Sequence, residues 1–122
     1  MQKPDISRAI PMQRYKFGAY IIVVLGEIES NDDINYKYLL AAIKEGHNEP
    51  EVYITCEEAS AENSSQGTHI VRVFAKQLGQ QGSGKIIDQS NSWASREAFI
   101  TYALSGFQQM LQLQDEQPAL LS

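Results

Sequence analysis

The stretch GQQGSGKI, Gly79 to Ile86, satisfies G-x-x-x-x-G-K, the first seven of eight positions of a phosphate-binding loop. The eighth position should carry a hydroxyl for Mg²⁺, and Ile86 stands there instead. Such a loop also needs a buried parallel strand before it and a helix directly after it, so that backbone N–H groups and the helix dipole meet the phosphate. Here Lys76, Gln77 and Leu78 separate the glycines from the preceding apolar run, and Asp88, Ser90, Asn91 and Ser92 break up any helix that would follow. The chain left after Ile86 is too short for further parallel strands with crossovers. Glycine with glutamine and serine is ordinary flexible-loop composition. The leading reading is a connecting loop, and phosphate or nucleotide binding over Gly79–Lys85 is the remote alternative.

Cys56 and His69 offer a second chemistry. If they are cross-strand neighbours, imidazole and thiol lie within hydrogen-bonding reach and could form a nucleophilic thiolate. Glu58 and Asp88 are the candidate groups to orient the ring. The bland reading is a buried cysteine acting as a small hydrophobe, with His69 at the edge of the core.

A third candidate is the acidic group Glu27, Glu29, Asp32 and Asp33. A calcium loop alternates oxygen ligands, turns sharply on a glycine and closes with a glutamate. The segment ESNDDINYKYLL has neither that glycine nor that glutamate, so it reads as a solvated turn. No metal and no cofactor is expected. His47 reads as exposed, and no hydrolase or metalloprotease signature is present.

The totals narrow the classes. The chain has 122 residues, 43% hydrophobic and 20% charged, which suits one globular domain. A formal charge of −5 argues against nucleic-acid binding, which needs a positive footprint. The single cysteine leaves no internal disulfide and no Cys-based zinc site. There is no apolar signal-peptide core, and the run AYIIVVL is too short to span a bilayer. The expectation is a cytoplasmic protein without a membrane partner.

The elements that must position these residues follow from hydrophobic periodicity. Residues 1–13 carry Pro4 and Pro11 among polar groups and read as a tail. Residues 14–114 form one α+β domain, and 115–122 form a C-terminal tail. Tyr15 to Ile28 reads as a buried strand. Tyr36 to Gly46 has helical propensity, but its Tyr-Lys-Tyr alternation and a waiting hairpin partner favour strand. Glu51–Glu58 and Thr68–Lys76 are the third and fourth strands. KIID either adds a short fifth strand or begins a turn. Trp93 to about Leu113 is a helix, capped by Ser92 or Ser95. The fold expected is thus a four-stranded antiparallel β-meander, with room for a fifth strand, and one C-terminal α-helix packed on one face.

Registers test that meander, because a slip of one residue reverses every side chain. Setting Glu27 opposite Lys37 places Leu25 opposite Leu39, Val23 opposite Ala41 and Ile21 opposite Ile43. The next pairings are then Ile43 with Val52, Ala41 with Ile54 and Leu39 with Cys56. The last are Cys56 with His69, Ile54 with Val71 and Val52 with Val73. This choice makes one face almost purely aliphatic and seats the helix there. The other face then presents Tyr20, Ile22, Val24, Tyr36, Tyr38, Leu40, Tyr53, Arg72 and Phe74. An exposed patch of that character marks an interaction surface. The leading expectation is a non-enzymatic protein-interaction module, homodimeric or bound to another protein through that second face. The alternatives are a small-molecule binder or thiol-dependent enzyme using Cys56 and His69, and the phosphate loop.

Overall fold

The computed structural model describes residues 4–75 and 84–121. It is an α+β fold in which an antiparallel meander sheet carries, among the described residues, a single α-helix against it. The strands are β1 (Ile6–Phe17), β2 (Tyr20–Ser30), β3 (Tyr36–Lys44), β4 (Val52–Glu58), β5 (His69–Ala75), β6 (Lys85–Ser90) and β7 (Ala119–Leu120). Their order across the sheet is β6-β5-β4-β3-β2-β1-β7. The helix, α1, spans Arg96–Met110.

The sheet is wider than the four or five strands expected, because both segments taken for tails join it. Residues 6–17 pair with β2 from Ile6↔Ser30 to Phe17↔Tyr20. Pro11 does not prevent this, since a proline is tolerated where a strand lies near a sheet edge or at irregularities. The ladder shifts register three times, around Ser7, between Arg8 and Ile10, and around Met12. Glu27, with φ of 47°, sits where β2 bulges against Ala9. At the other terminus β7 adds to the outer side of β1 through Tyr15↔Leu120 and Lys16↔Ala119.

Local chemistry explains the connections. β1 and β2 meet in a two-residue hairpin at Gly18 and Ala19, and Gly18 has φ of +58°. A Cβ there would also stand 2.7 Å from Leu113 Cδ2, so that side chain would have to shift. In the β2–β3 turn, Asp32 Oδ1 accepts from the Ile34 N–H at 3.1 Å, and Ser30 Oγ donates to the Ile34 carbonyl at 2.8 Å. Ser95 caps α1 by accepting from the Ala98 N–H at 3.3 Å.

The first hairpin has the expected register: Leu25↔Leu39, Val23↔Ala41 and Ile21↔Ile43. The second does not. Ala42, not Ile43, faces Val52, so Leu40 faces Ile54 and Tyr38 faces Cys56. The Glu51 N–H donates to the Ala42 carbonyl at 2.9 Å and sets this pairing where the turn closes. In the third hairpin Cys56 faces Val71 and His69 faces Glu58, two residues from the expected register but on the expected faces.

The one-residue slip decides where the helix lies. α1 buries Phe99, Ile100, Ala103 and Phe107, spaced for one helical face, against Ile22, Val24, Leu40, Ala42, Val52, Ile54, Cys56, Val71 and Val73. Gly106 lets the helix approach closely, since a Cβ there would come within 3.2 Å of Ile54 Cδ1. Tyr38 stacks on Phe99 with ring centroids 6.3 Å apart. Ile22, Val24 and Leu40, expected on an exposed second face, are therefore fully buried beneath the helix.

Candidate functional site

The nine residues expected to share one interaction face are divided between two. Tyr20, Ile22, Val24, Tyr38 and Leu40 lie on the helix side. Tyr36, Tyr53, Arg72 and Phe74 lie on the opposite side, which carries no α-helix among the described residues and is called the helix-free face below, because Tyr36 pairs with Glu57 across a register shift in β3 and Tyr53 pairs with Phe74; a 3-10 turn, Ala61–Gln66, borders its polar end. The helix-free face draws its aliphatic part from residues first assigned to the seat of the helix: Ile21, Val23, Leu25, Leu39, Ala41 and Ile43.

This face has two ends of different chemistry. Over β2 and β3, Val23, Leu25, Leu39, Ala41, Ile43 and Tyr53 line an apolar trough of about 450 Å³, with Pro4, Asp5, Ile6 and Pro50 at its margins. Leu39 and Ala41 are buried in its floor, whereas Ile21, Val23, Leu25 and Ile43 are half-buried. Toward the other end, Glu57, Arg72, Asn35 and Gln89 line a polar cavity of about 700 Å³, ringed by Asp33, Glu58 and Glu62. Tyr53 and Glu57 are four residues apart on β4, so the two ends are about 13 Å apart. Thr55, fully buried, lies between them.

At the polar end Arg72 Nε donates to Glu57 Oε1 at 2.7 Å, and its Nη1 donates to the Gly84 carbonyl at 2.7 Å. The guanidinium thus neutralises a buried carboxylate and ties β5 to the start of β6. The Tyr36 hydroxyl donates to Asp32 Oδ2 at 3.0 Å; burial, together with that carboxylate, pushes its ionisation upward. Tyr53 is raised by burial and by Glu49, and Tyr20 by burial and by Glu51, whose Oε2 accepts from its hydroxyl at 3.0 Å. The Tyr36 and Tyr20 hydroxyls are donors, not bases, at neutral pH.

No protein-family model, curated protein or solved structure matches this chain.

Cys56 and His69 are not partners. His69 Nδ1 lies 2.9 Å from Thr68 Oγ1. The Cys56 thiol is fully buried and donates to the Trp93 carbonyl at 3.4 Å. Trp93 is itself held by its Nε1–H to Asp88 Oδ2 at 2.8 Å and by Tyr102, 4.5 Å away between ring centroids. Asp88 therefore orients an indole rather than an imidazole. Burial, followed by Glu57 and Glu58, pushes the Cys56 thiol up to about 12. Native protein at pH 8 should consequently resist alkylation by iodoacetamide and react only in denaturant, as mass spectrometry would show. Rapid native labelling would restore the nucleophile reading. The ionisable thiol of the unfolded chain also bears on stability. Its contribution is complete below the ordinary value of 9.0 and is lost as pH rises toward about 12.

Asp32 is engaged by the Asp5 and Ile34 N–H groups and the Tyr36 hydroxyl. Among the described residues no group of three or more His, Cys, Asp or Glu side chains is placed to hold a metal ion. Most of the glycine-rich stretch, Gly79–Ser83, lies outside the described residues. Gly84, with φ of +82°, donates to the Val73 carbonyl at 2.7 Å, and Lys85 opens β6 opposite Val73. A strand, not a helix, follows this lysine, so the N-terminal dipole on which a phosphate loop depends is not at this position. No described helix is long and apolar enough to cross a membrane.

Proposed function

We propose that the protein is an interaction module that homodimerises through the helix-free face of its sheet. The observation behind this reading is the aliphatic strip of Ile21, Val23, Leu25 and Ile43, partly exposed on adjacent strands while α1 packs on the opposite face. A second copy would bury that strip by packing sheet on sheet about a two-fold axis. Tyr53 at the trough and the polar groups beyond it would form the rim of such an interface. Light scattering should report a dimer, and Val23→Glu should give a folded monomer, because a charge in the strip would be desolvated on association. A wild-type protein that stays monomeric at about 100 µM would remove the dimer reading.

The concavity of the trough supports a second reading, that of a binder for a small apolar ligand. Its volume of about 450 Å³ falls in the range of ligand pockets. That reading predicts a monomer that takes up a solvatochromic apolar dye and loses it on Val23→Glu.

A further inference from the structure

Among the described residues, the large apolar side chains that stand exposed are Ile10, Met12, Ile86, Ile87, Leu120 and Leu121. None lies in the middle of the sheet. Ile86 and Ile87 are on β6, the strand at one end of the sheet order, and the other four are on or beside β1 and β7 at the opposite end. The β1 end differs in two respects. First, its outer side is already used by an extended segment, but only in part. β7 pairs with Tyr15 and Lys16, and the Leu121 N–H donates to the Arg14 carbonyl at 2.7 Å. Beyond that rung, from Ile6 to Gln13, β1 has no strand partner on its outer side among the described residues. Second, β1 is basic. It carries Arg8, Arg14 and Lys16 and no carboxylate, in a chain whose formal charge is −5; Lys16 is ion-paired with Glu45, so the strand's cations left to the edge are Arg8, opposite Glu29 in the ladder, and Arg14, opposite Val23. Arg8 and Arg14 are exposed, and Arg96 of α1 reaches Met12 Sδ at 3.8 Å, adding a third guanidinium beside the strand.

We infer that the outer edge of β1, Ile6–Gln13, accepts an extended acidic segment of a partner protein by strand addition, in line with β7. Main-chain hydrogen bonds supply the docking mode, and β7 shows that this edge accepts an antiparallel segment. Charge selects the occupant. The same strand of a second copy, paired antiparallel about Pro11, would set Arg8 of one copy against Arg14 of the other, like charge against like. Glutamate or aspartate in the incoming strand meets those cations instead, while alternate apolar residues cover Ile10 and Met12. This inference concerns the edge of the sheet and does not depend on the face proposed for dimerisation.

The test uses the full chain and a labelled peptide of about eight residues alternating valine and glutamate, enough to span the open edge. Its counterpart alternates valine and lysine. Fluorescence anisotropy should show binding of the glutamate peptide at least about tenfold tighter than the lysine peptide, weakening in about 1 M salt. Hydrogen exchange should show new protection at β1 amides between Ile6 and Gln13. The variant R8A/R14A, changed at two exposed positions, should lose the preference for the acidic peptide, while Ile43→Glu, in the aliphatic strip on β3 and two strands away from β1, should keep it. Equal binding of both peptides, no binding, or protection confined to β6 would overturn the inference. So would protection of β1 that grows with protein concentration and without peptide, which would make a second copy the occupant.

Discussion

Replacing Phe99 by alanine should lower the stability of the domain by about 3–5 kcal/mol. Phe99 is fully buried at the start of the apolar stripe of α1 and stacks on Tyr38 of β3. Its removal forfeits the transfer free energy of an aromatic ring and the stacking contact, and leaves a cavity over a sheet whose strands are held by hydrogen bonds and cannot close over it. Helix contacts with the sheet centre on β3 and β4, so the loss falls where α1 is attached. Against a total stability typically between about 5 and 15 kcal/mol, this is enough to leave a substantial unfolded population at modest denaturant. Urea unfolding should show a lower midpoint at unchanged slope. A loss below about 1 kcal/mol would mean that the helix packs more loosely than its buried side chains imply.

The second large effect is electrostatic. Arg72→Leu should cost about 2–4 kcal/mol, because it strands the Glu57 carboxylate in the sheet. Glu57 retains only 8% side-chain exposure and Arg72 23%, so water cannot fully replace the lost partner, although the cavity beside the pair softens the penalty. The same substitution removes the bond from Nη1 to the Gly84 carbonyl and should loosen the start of β6. Replacing both partners, Arg72→Leu with Glu57→Leu, should recover most of the loss, since two apolar side chains leave no uncompensated charge. A double-mutant cycle by thermal unfolding gives the coupling between them. If the double variant is as unstable as Arg72→Leu alone, the role of the arginine lies in the Gly84 contact and not in neutralising Glu57.

The places where sequence and structure part company share a cause. β2 and β3 were legible as strands, and their mutual register was too, because Leu25, Val23 and Ile21 face Leu39, Ala41 and Ile43. What could not be read was which side of that hairpin would face the helix. Ile21 to Leu25 and Leu39 to Ile43 are apolar at every position, so alternation carries no face signal there. The decision falls to the turn at residues 45–51, where Ala42 rather than Ile43 comes opposite Val52. That slip moved Ile22, Val24 and Leu40 under the helix and Ile21, Val23 and Leu25 to the other side. β1 is illegible for a different reason, and its last residues, expected to run on into a single strand from Tyr15 to Ile28, are turned back at Gly18 and Ala19. Its prolines and scattered charges suit an irregular edge, where β2 supplies the ladder that local propensity does not.

The candidate chemistry was legible only as residue types. Cys56 and His69 were rightly placed on neighbouring strands, but a displacement of two residues in register separates a diagonal neighbour from a partner. The thiol then meets a backbone carbonyl contributed by Trp93, far along the chain. The Glu57–Arg72 pair gave no sequence signal, because it requires cross-strand positions and burial that only the assembled sheet creates.

By itself, then, the sequence determined the strands β3, β4 and β5 and most of β2, the helix packed on the meander, its serine cap and the turn rich in aspartate and asparagine between β2 and β3. Each of these is a short-range preference, settled by backbone geometry and periodicity within a few residues. The tertiary structure decided which apolar face the helix covers, which strands form the edges, and whether each polar side chain finds a partner. Those outcomes depend on register and long-range burial, where a shift of a single residue exchanges one face of a sheet for the other.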